Sequence, residues 1–516
     1  MALESAQAQP GIAATEAANL DGIGDEAAAG LPLCVDLDGT LVKSDTLVDT
    51  VIVLARQSPR TVLQFPLWIW EGKASFKRKV SALAAIDVVN LPYNQPLLEY
   101  LRQQYASGRE IYLATGADTL LAERVAAHLG IFTGVLASDG TVNLTGHNKL
   151  AAFQQKFPAG FCYIGNARPD VPLLTHCVHP MVANPHRSLT AGLNSAKIVP
   201  VRTFSDTASP FKAWVRAIRL HQWAKNVLIF LPVLLAHVHT VGPMVATGLA
   251  FLSFGLAASA TYIVNDLLDL EADRHHPRKR RRPFASGDLS PIVGVATIVA
   301  FFVVSLAIAV MLPHVLTTLS PNFPQHGQGN FLGWLIFYTI ATTAYSLRLK
   351  RMVLVDVIVL SGLYTIRILA GSAAAAVIVS PWLAAFSIFF FLSLAFVKRF
   401  SELESMRQRS DGGAIAVKGR GYRVSDLEQL RSFGTSSGYA SVLVFMLYIG
   451  NEVAKDLYPH HTRLWLLVPV LLLWLSRLWL LASRGELHED PVVYAITDKR
   501  SLLLGLIVVG IVLSAL

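Results

Sequence analysis

The sequence predicts a fold in two parts, an N-terminal α/β region with a parallel sheet and a C-terminal all-α membrane bundle. Of its 516 residues, 53% are hydrophobic and only 15% are charged, which excludes disordered, collagen-like and small disulfide-rich proteins. The net charge of +9 is uneven, because residues 1–210 carry 16 basic and 18 acidic side chains and residues 211–516 carry 28 and 17. The basic excess lies in the apolar half, where anionic lipids or phosphate substrates are better partners than nucleic acid.

The N-terminal region alternates apolar runs with helical stretches. LPLCVDLDGT, REIYLATGAD and FCYIGNARPD each have the pattern of a buried strand that ends in a polar loop, with amphipathic helices between them. This alternation predicts a parallel sheet whose functional loops follow the strand carboxyl ends. We expect a flexible leader at residues 1–30, the α/β domain at 31–200, a linker at 201–215 and the membrane domain at 216–516. The three cysteines lack disulfide or zinc spacing, as expected in a reducing compartment.

Residues 41–95 interrupt the α/β pattern. They include QFPLWIWEGKASFKRKV, in which aromatic and basic residues recur at helical spacing. The insert is predicted to form a helical cap, which either leans on the membrane surface or packs on its own domain.

The C-terminal region contains about nine apolar segments. Each comes close to the roughly 20 helical residues that are needed to cross a bilayer. The segments lie near residues 221–237, 241–264, 291–313, 331–346, 352–377, 380–397, 438–450, 463–483 and 501–516.

The loops between these segments predict the orientation. Lys and Arg number 6, 3, 8 and 3 in the loops at 265–290, 347–351, 398–437 and 484–500, whereas each alternate loop has at most one. By the positive-inside rule, the charged loops and the α/β domain are cytoplasmic. We therefore predict a multi-pass protein of the inner (cytoplasmic) membrane, with its C-terminus on the outer side.

The second predicted membrane helix ends in a cluster of acids. In NDLLDLEADRHHPRKRRRPFASG, Asp266, Asp269 and Asp273 recur at i, i+3 and i+7, and Asn265 adds an oxygen ligand near the same helix face. Carboxylates this close repel one another unless a cation lies among them, and oxygen ligands alone suit Mg²⁺ that also binds substrate phosphates. The cluster predicts a magnesium site at which diphosphate departs. A plain charged helix end would explain the neighbouring arginines but not the clustered acids.

NDLLDLEAD resembles the first aspartate-rich motif, NDxxDxxxD, of the UbiA superfamily of intramembrane prenyltransferases. The resemblance covers roughly residues 211–516, and nine helices with cytoplasmic loops match that fold. WAKN, DLEADRHHPRKRRRPFASG, YSLRLKR and RGELHEDPVVYAITD are especially similar to the branch that includes decaprenyl-phosphate phosphoribosyltransferase.

This resemblance implies a reaction. Phosphoribosyl diphosphate loses Mg²⁺-bound diphosphate, an oxocarbenium-like C1 develops, and the oxygen of a polyprenyl phosphate attacks it without a protein nucleophile. Asn265, Asp266, Asp269 and Asp273 would hold the metal. Polar groups expected to contact the substrates in the same motifs are Lys225, Asn226, Asn265, Arg274, Lys279 and Arg282.

The second motif departs from the family pattern. UbiA members usually carry DxxxD at the end of the sixth helix, but here FVKRFSELESMRQR has Lys398, Arg399 and Glu402 instead. This change disfavours a second metal site of the usual kind. The two cations either complement extra phosphate charge on the donor or the lipid, or pair with Glu402 within the helix.

Further polar residues lie in or beside the predicted membrane helices. Asp356 and Arg367 are about three helical turns apart and share a face, where substrate binding and a structural network are equally consistent. Each such charge costs roughly 2.5 to 3.5 kcal/mol at a helix centre, so both should face the bundle. In YSLRLKR, Tyr345 and Lys350 either bind phosphate or simply reflect positive-inside topology.

The α/β region resembles the HAD phosphohydrolases, which have a Rossmannoid sheet and a helical cap. DLDGT places Asp36 as the nucleophile and Asp38 as the acid/base two residues later. Thr115, at the end of IYLAT, matches the second-motif hydroxyl. Lys149 matches the third-motif lysine, which steadies the phosphate and the charge of the nucleophile.

The fourth HAD motif also departs from its pattern. Normally GDxxxD, it is GNARPD at residues 165–170, so Asn166 replaces the first metal-binding acid. The resemblance implies a second Mg²⁺ site of Asp36, Asp38, Asn166 and Asp170 with one charge fewer than usual. A working phosphatase and a catalytically retired domain both stay open. A working phosphatase would dephosphorylate the 5-phosphoribosyl lipid product of the adjoining membrane domain.

Two rival functions can be distinguished by sequence. A UbiA enzyme that joins an isoprenyl diphosphate to an aromatic or other small acceptor, beside a non-catalytic HAD domain, would have the acidic second motif that FVKRFSELES lacks. A transporter or lipid-binding protein would not require three clustered aspartates. The sequence leaves the lipid chain length open, and a homo-oligomer stays compatible with it.

Overall fold

The computed structural model describes residues 30–139, 141–323, 330–408, 421–487 and 490–516. Almost all of the expected leader, at residues 1–30, lies outside the described residues. Two compact units divide the chain, one formed by the described part of Met1–Ile218 with Ile263–Ala296, the other by Arg219–Tyr262 and Thr297–Leu516. These two units differ from the predicted domains, which follow one another along the chain and are separated by a linker at residues 201–215. Ion pairs such as Arg274–Asp49 and Asp269–Arg56 link the segment at 263–296 to the α/β region.

The first unit contains a parallel sheet of six strands. Strands β1 to β6 are Leu33–Val35, Ile111–Asp118, Gly134–Ser138, Cys162–Gly165, His179–Ala183 and Arg202–Phe204. They lie in the order β3-β2-β1-β4-β5-β6, and each neighbouring pair is parallel. The strand order reverses beside β1, which is where open α/β sheets bind ligands. The predicted parallel α/β region is therefore confirmed.

Helices cover the sheet and fill the insert at residues 41–95. Helices α1 to α9 are Thr46–Gln57, Phe65–Trp70, Lys73–Leu83, Gln95–Ala106, Thr119–Leu129, His147–Lys156, Val171–His176, Arg187–Ser195 and Pro210–Ile218. Short 3₁₀ helices are Pro59–Gln64 and Arg168–Asp170. The insert thus contributes α1, α2 and α3. Helix α1 begins after Asp45, whose side chain accepts a hydrogen bond from the Val48 N–H and caps the helix.

Both faces of the sheet are buried. Leu33 and Val35 of β1 belong to one apolar core, and Cys34, between them, belongs to another on the opposite face. This alternation follows from the period of two along a strand. The central strand is therefore held on both sides, which fixes the loop that follows it.

Beyond Ile218, the secondary structure of the described residues is helical. Helices α10 to α21 are Leu231–Leu235, Val241–Leu268, Leu270–His275, Pro291–Leu319, Phe331–Leu347, Val355–Ala375, Pro381–Arg407, Leu427–Ile449, Glu452–Leu457, Leu467–Ser483, Pro491–Thr497 and Lys499–Ala515. Further 3₁₀ helices are Leu220–Phe230, Lys279–Arg281, Leu349–Arg351, Val424–Asp426 and His461–Leu466.

Six helical runs among the described residues are long and apolar enough to cross a membrane. They are Val241–Leu268, Pro291–Leu319, Val355–Ala375, Pro381–Arg407, Val424–Ile449 and His461–Ser483. The expected count of nine is not confirmed. Phe331–Leu347, with 17 residues, rises only about 25 Å against roughly 30 Å of hydrocarbon. Leu220–Leu235 is also short, and most of it is 3₁₀ helix.

Candidate functional site

The first polar cluster lies at the carboxyl end of β1. Asp36 follows this strand, and its Oδ1 accepts a hydrogen bond from Lys149 Nζ at 2.8 Å. Lys149 also donates to the Ala114 carbonyl at 3.1 Å and to the Tyr163 hydroxyl at 3.0 Å, and its Nζ lies 3.9 Å from Asp170 Oδ1. Asp36, Lys149 and Asp170 are all buried. The structure thus brings Lys149 and Asp170 to Asp36, which precedes both of them by more than a hundred positions in the sequence.

The GNARPD loop closes over this cluster. Asp170 Oδ2 accepts hydrogen bonds from the N–H groups of Asn166 and Ala167, both at 3.0 Å, and its Oδ1 accepts one from Tyr163 Oη at 2.7 Å. The Asn166 side chain packs directly on Gly39, where an added Cβ would clash with Asn166 Nδ2. Gly39 also has a φ of 74°, which favours glycine. Asn166 therefore faces the loop that carries Asp36 and Asp38.

The second aspartate of DLDGT is held by the start of α1. Asp38 Oδ1 accepts a hydrogen bond from the Thr46 N–H at 2.7 Å. Burial and the neighbouring Asp45 carboxylate raise the pKa of Asp38 to about 7. Burial also raises the pKa of Asp36 to about 6, although the Lys149 ammonium opposes this shift. A carboxyl group that titrates near neutrality can both donate and accept a proton.

A lysine of the insert also reaches this end of the sheet. Lys77 of α3 donates to the Gly116 carbonyl at 2.6 Å and to Asn143 Oδ1 at 2.9 Å. Gly116 follows Thr115, a buried residue whose hydroxyl accepts a hydrogen bond from the Ala117 N–H at 3.0 Å. The sequence analysis missed Lys77, although the basic run KASFKRKV was a signal for it.

The aspartate-rich segment spans two helices that meet at its middle acid. Helix α11 ends at Leu268 and α12 begins at Leu270, with Asp269 between them. Helical hydrogen bonding continues through the junction, because the Asp269 N–H donates to the Asn265 carbonyl at 2.9 Å and the Asp273 N–H donates to the Asp269 carbonyl at 2.8 Å. The aspartates therefore follow one helical path across two helices.

One arginine bridges two of the three aspartates. Arg282 Nη1 lies 3.1 Å from Asp266 Oδ1 and 2.7 Å from Asp273 Oδ2, and both carboxylates are buried. Lys279 Nζ lies 3.9 Å from Asp273 Oδ1. Two carboxylates that meet at one cationic nitrogen are also placed to hold Mg²⁺ between them. Proteins bind Mg²⁺ through one or two carboxylates together with substrate phosphates. Among the described residues, no three His, Cys, Asp or Glu side chains are grouped to hold a metal.

Asp269 and Arg274 have partners in the α/β region. Asp269 Oδ1 lies 3.3 Å from Arg56 Nη2. Arg274, predicted to contact substrate, is buried and donates to Asp49 Oδ2 at 2.8 Å and to the Ala285 carbonyl at 3.2 Å. These contacts direct the guanidinium toward protein groups, which disfavours a phosphate contact for Arg274.

The second unit contains a cluster of two lysines around one carboxylate. Asp490 Oδ2 accepts hydrogen bonds from Lys225 Nζ at 3.0 Å and from Lys398 Nζ at 2.7 Å. Burial opposes ionisation, but the two ammonium groups hold the pKa of Asp490 well below its usual range. The sequence analysis missed Asp490, although it lies in RGELHEDPVVYAITD, one of the segments that carry the family resemblance.

Arg399 forms the centre of another network. Its Nε donates to Asp356 Oδ2 at 2.5 Å, its Nη1 to Glu402 Oε2 at 2.7 Å and its Nη2 to Tyr345 Oη at 2.8 Å. Asp356 also accepts a hydrogen bond from the Tyr422 hydroxyl. The intrahelical pair of Arg399 with Glu402 is therefore formed, and both carboxylate oxygens of buried Asp356 accept hydrogen bonds, one from Arg399 and one from Tyr422.

Arg367 has partners other than Asp356. Its Nε donates to Asn226 Oδ1 at 2.9 Å and its Nη2 to Tyr338 Oη at 3.0 Å. Within the part of the chain that the structure describes, the buried Nδ2 of Asn226 has no hydrogen-bond partner. Lys350 lies in the 3₁₀ helix Leu349–Arg351. Sharing a helix face thus did not make Asp356 and Arg367 a pair.

Known proteins resemble most of this chain. A protein of Sinorhizobium fredii, the uncharacterized protein y4nM, is 37% identical over 486 residues, which cover 93% of this chain and 90% of that protein. The decaprenyl-phosphate phosphoribosyltransferase of Mycobacterium tuberculosis is 34% identical over 257 residues, which cover 48% of this chain and 78% of that enzyme. A solved structure of a UbiA homologue from Archaeoglobus fulgidus bound to GPP and Mg²⁺ has a TM-score of 0.42 at 16% identity, and covers 58% of this chain and 99% of that one.

A family match extends over more than half of the sequence. Residues 226–496 match the UbiA prenyltransferase family, which confirms the resemblance that the aspartate-rich motif predicted. Six long apolar helices accompany that match. The chain therefore belongs to the UbiA prenyltransferase family and is a multi-pass integral membrane protein.

Proposed function

We propose that this protein transfers a 5-phosphoribosyl group from phosphoribosyl diphosphate to a polyprenyl phosphate in a Mg²⁺-dependent reaction. The observation that carries the proposal is the convergence of Asp266 and Asp273 on one cationic nitrogen of Arg282. The acceptor and the donor are suggested by the 34% identity to a decaprenyl-phosphate phosphoribosyltransferase over 48% of the chain.

The aspartate-rich segment would bind the diphosphate end of the donor. Asp266 and Asp273 would hold Mg²⁺, which supplies charge neutralisation for a departing diphosphate. Arg282 and Lys279 bring positive charge to the same carboxylates, at 2.7 Å and 3.9 Å from Asp273. These cations favour a phosphate-bearing ligand beside the acids. The C1–O bond to diphosphate breaks and a C1–O bond to the lipid phosphate forms, so no protein nucleophile is needed.

The cluster of the second unit supports a phosphate ligand as well. Lys225 and Lys398 share the single carboxylate of Asp490, which leaves one positive charge in excess. Arg399 is instead neutralised by Asp356 and Glu402. We therefore assign Lys225 and Lys398, together with the free amide donor of Asn226, to substrate phosphate, and Arg399 to structure.

The proposal places the protein in the inner (cytoplasmic) membrane. The loops rich in Lys and Arg, and with them the α/β region, would face the cytoplasm. Phosphoribosyl diphosphate would enter from the aqueous side and the polyprenyl phosphate from the bilayer.

Transfer of label to lipid tests this function. Membranes that contain the protein are incubated with labelled phosphoribosyl diphosphate and polyprenyl phosphate, with and without Mg²⁺. We expect label in the lipid extract only with Mg²⁺, and its loss in Asp266→Asn but not in Asp139→Asn, an acid of an exposed turn of the α/β region. Prenylation of an aromatic acceptor from an isoprenyl diphosphate, with no labelled lipid, would contradict the proposal.

We propose in addition that the α/β region is a HAD-like phosphatase. The contact of Lys149 with Asp36 at 2.8 Å favours this function, because the lysine can neutralise both a nucleophilic carboxylate and a bound phosphate. Asp36 attacks phosphorus, the P–O bond to the leaving alcohol breaks, and Asp38 protonates that oxygen. Water then attacks the aspartyl-phosphate, Asp38 accepts its proton, and phosphate leaves.

The substrate of this phosphatase would be the 5-phosphoribosyl lipid. Its production by the same protein raises its local concentration at the α/β region. Incubation of that lipid with the intact protein should release inorganic phosphate, and Asp36→Asn should abolish the release while transfer continues. Transfer without any phosphate release in the wild type would identify the α/β region as catalytically retired.

A further inference from the structure

We infer that helix α1 of the α/β region positions the aspartate-rich segment for metal binding, through the pairs Asp49–Arg274 and Arg56–Asp269. The inference rests on the proposed transferase function. All four residues belong to the first compact unit. Asp49, Arg56 and Arg274 would be positioning residues that act through Asp269 and Asp273 and do not touch substrate.

The first pair is a buried ion pair. Asp49 is fully buried and Arg274 is 8% exposed, and their side chains meet at 2.8 Å. Ser44 Oγ donates to Asp49 at 2.6 Å and accepts from Arg274 at 3.2 Å, and the Ala285 carbonyl accepts from Arg274 Nε. A buried charge that loses its partner is strongly destabilised. Because Arg274 follows Asp273 directly, this network fixes the backbone beside a carboxylate of the magnesium site.

The second pair lies two turns further along the same face of α1. Arg56 is seven residues after Asp49, and its Nη1 donates to the Leu268 carbonyl at 2.9 Å while its Nη2 contacts Asp269 Oδ1 at 3.3 Å. Leu268 ends helix α11, where carbonyl groups have no partner within the helix. Arg56 therefore caps the membrane helix at the residue before Asp269.

The insert adds contacts to the same segment. The Asp87 N–H donates to Glu271 Oε1 at 3.2 Å, and Asp87 Oδ2 lies 2.7 Å from His275 Nε2. Helix α12 is thus tied to the α/β region on each of its turns, at Glu271, Arg274 and His275. Metal ligands need support of this kind, because a misplaced carboxylate binds weakly. In this protein the support comes from a part of the chain that precedes the segment by about 200 residues.

Variants of the full-length protein in membranes test the inference. Arg274→Met and Arg56→Met should each raise the Mg²⁺ concentration for half-maximal transfer at least about tenfold, with little change in KM for polyprenyl phosphate. Arg274→Lys should restore part of the effect. Arg109→Met is the control for a buried arginine, at 6% exposure, and Arg78→Met is the control for a half-exposed arginine, whose side chain is 45% exposed against 43% for Arg56. Both controls should keep the wild-type Mg²⁺ dependence.

Amide hydrogen exchange provides a readout that needs neither Mg²⁺ nor turnover. In metal-free protein, Arg274→Met and Arg56→Met should speed exchange across residues 263–276, whereas the two controls should not. Unchanged exchange and unchanged Mg²⁺ dependence in both variants would overturn the inference. Faster exchange in the variants of a protein whose wild type transfers no phosphoribosyl group would support the positioning and refute the proposed function. A rise in KM for phosphoribosyl diphosphate that is confined to Arg274→Met would assign that residue to substrate and overturn the inference.

Discussion

The two candidate sites of the first unit use similar chemistry on different supports. In both, buried carboxylates converge on one cation, Lys149 at Asp36 and Asp170, and Arg282 at Asp266 and Asp273. In the first set, Asp36 follows β1 and Asp170 follows β4 in a sheet that is buried on both faces, and Lys149 comes from helix α6. The second comes from the end of membrane helix α11 and the segment that follows it, where no strand holds the aspartates.

This difference predicts which substitutions will disturb the geometry of each site. Hydrogen bonds along the whole sheet hold the strand ends in place. Substitution of one side chain at these ends should therefore leave the neighbouring side chains where they are. A site on a helical segment depends on the side chains that hold that segment. Substitutions outside the ligands should therefore weaken the proposed transferase site more than the proposed phosphatase site.

The largest expected effect separates the chemistry of the two sites. Asp36→Asn should reduce phosphate release by at least about 10⁴-fold, because the nucleophile is lost. Transfer to the lipid should stay within about twofold of wild type. Parallel assays of phosphate release and lipid labelling measure both rates, and a comparable fall in the two would show that the sites are not separable.

The buried network around Arg399 in the second unit is tested by the free energy of unfolding. Arg399→Met should lower the free energy of unfolding by about 3–5 kcal/mol, because Asp356 stays buried without its cation. The control is Lys455→Met, which breaks an i,i+3 pair whose lysine is 44% and whose glutamate is 79% exposed, and should cost less than about 1 kcal/mol. Denaturant unfolding in mixed micelles measures both. Equal losses would contradict a structural role for Arg399.

Substitution of its aspartates tests which residues hold the metal in the proposed transferase site. Asp273→Asn should lower transfer by about 10²–10³-fold, because one carboxylate of the pair that converges on Arg282 is lost. Phosphate release from added 5-phosphoribosyl lipid should persist. Asp139→Asn serves as the control for a change of one negative charge in the same unit. Full transfer activity in Asp273→Asn would exclude Asp273 from the site.

The smallest expected effect concerns the altered fourth motif. Asn166→Asp should lower the Mg²⁺ concentration for half-maximal phosphate release about tenfold, because a carboxylate replaces an amide beside Gly39. Titration of phosphate release with Mg²⁺ measures the change, and Asn148→Asp, an exposed amide of α6, is the control. A weaker response to Mg²⁺ in Asn166→Asp would place residue 166 outside the metal site.

Several features followed from the sequence because their signals are local. The alternation of apolar runs with helical stretches predicted the parallel α/β region. The long apolar segments predicted the six helices that are long enough to cross a membrane. The spacing NDxxDxxxD identified the family that residues 226–496 match. The resemblance to the HAD phosphohydrolases implied that Lys149 would lie beside Asp36, and the two side chains meet at 2.8 Å.

Other features were decided only by the tertiary structure. The contacts of Asp49 with Arg274 and of Lys398 with Asp490 join residues far apart in the chain. The spacing of residues in the sequence does not predict which distant charged residues will pair. Asp356 and Arg367 share a helix face, yet Arg399 and Asn226 satisfy them separately. The sequence by itself determined which groups must be neutralised, because a buried charge requires a partner. The packing of helices and sheet determined which partner each one has.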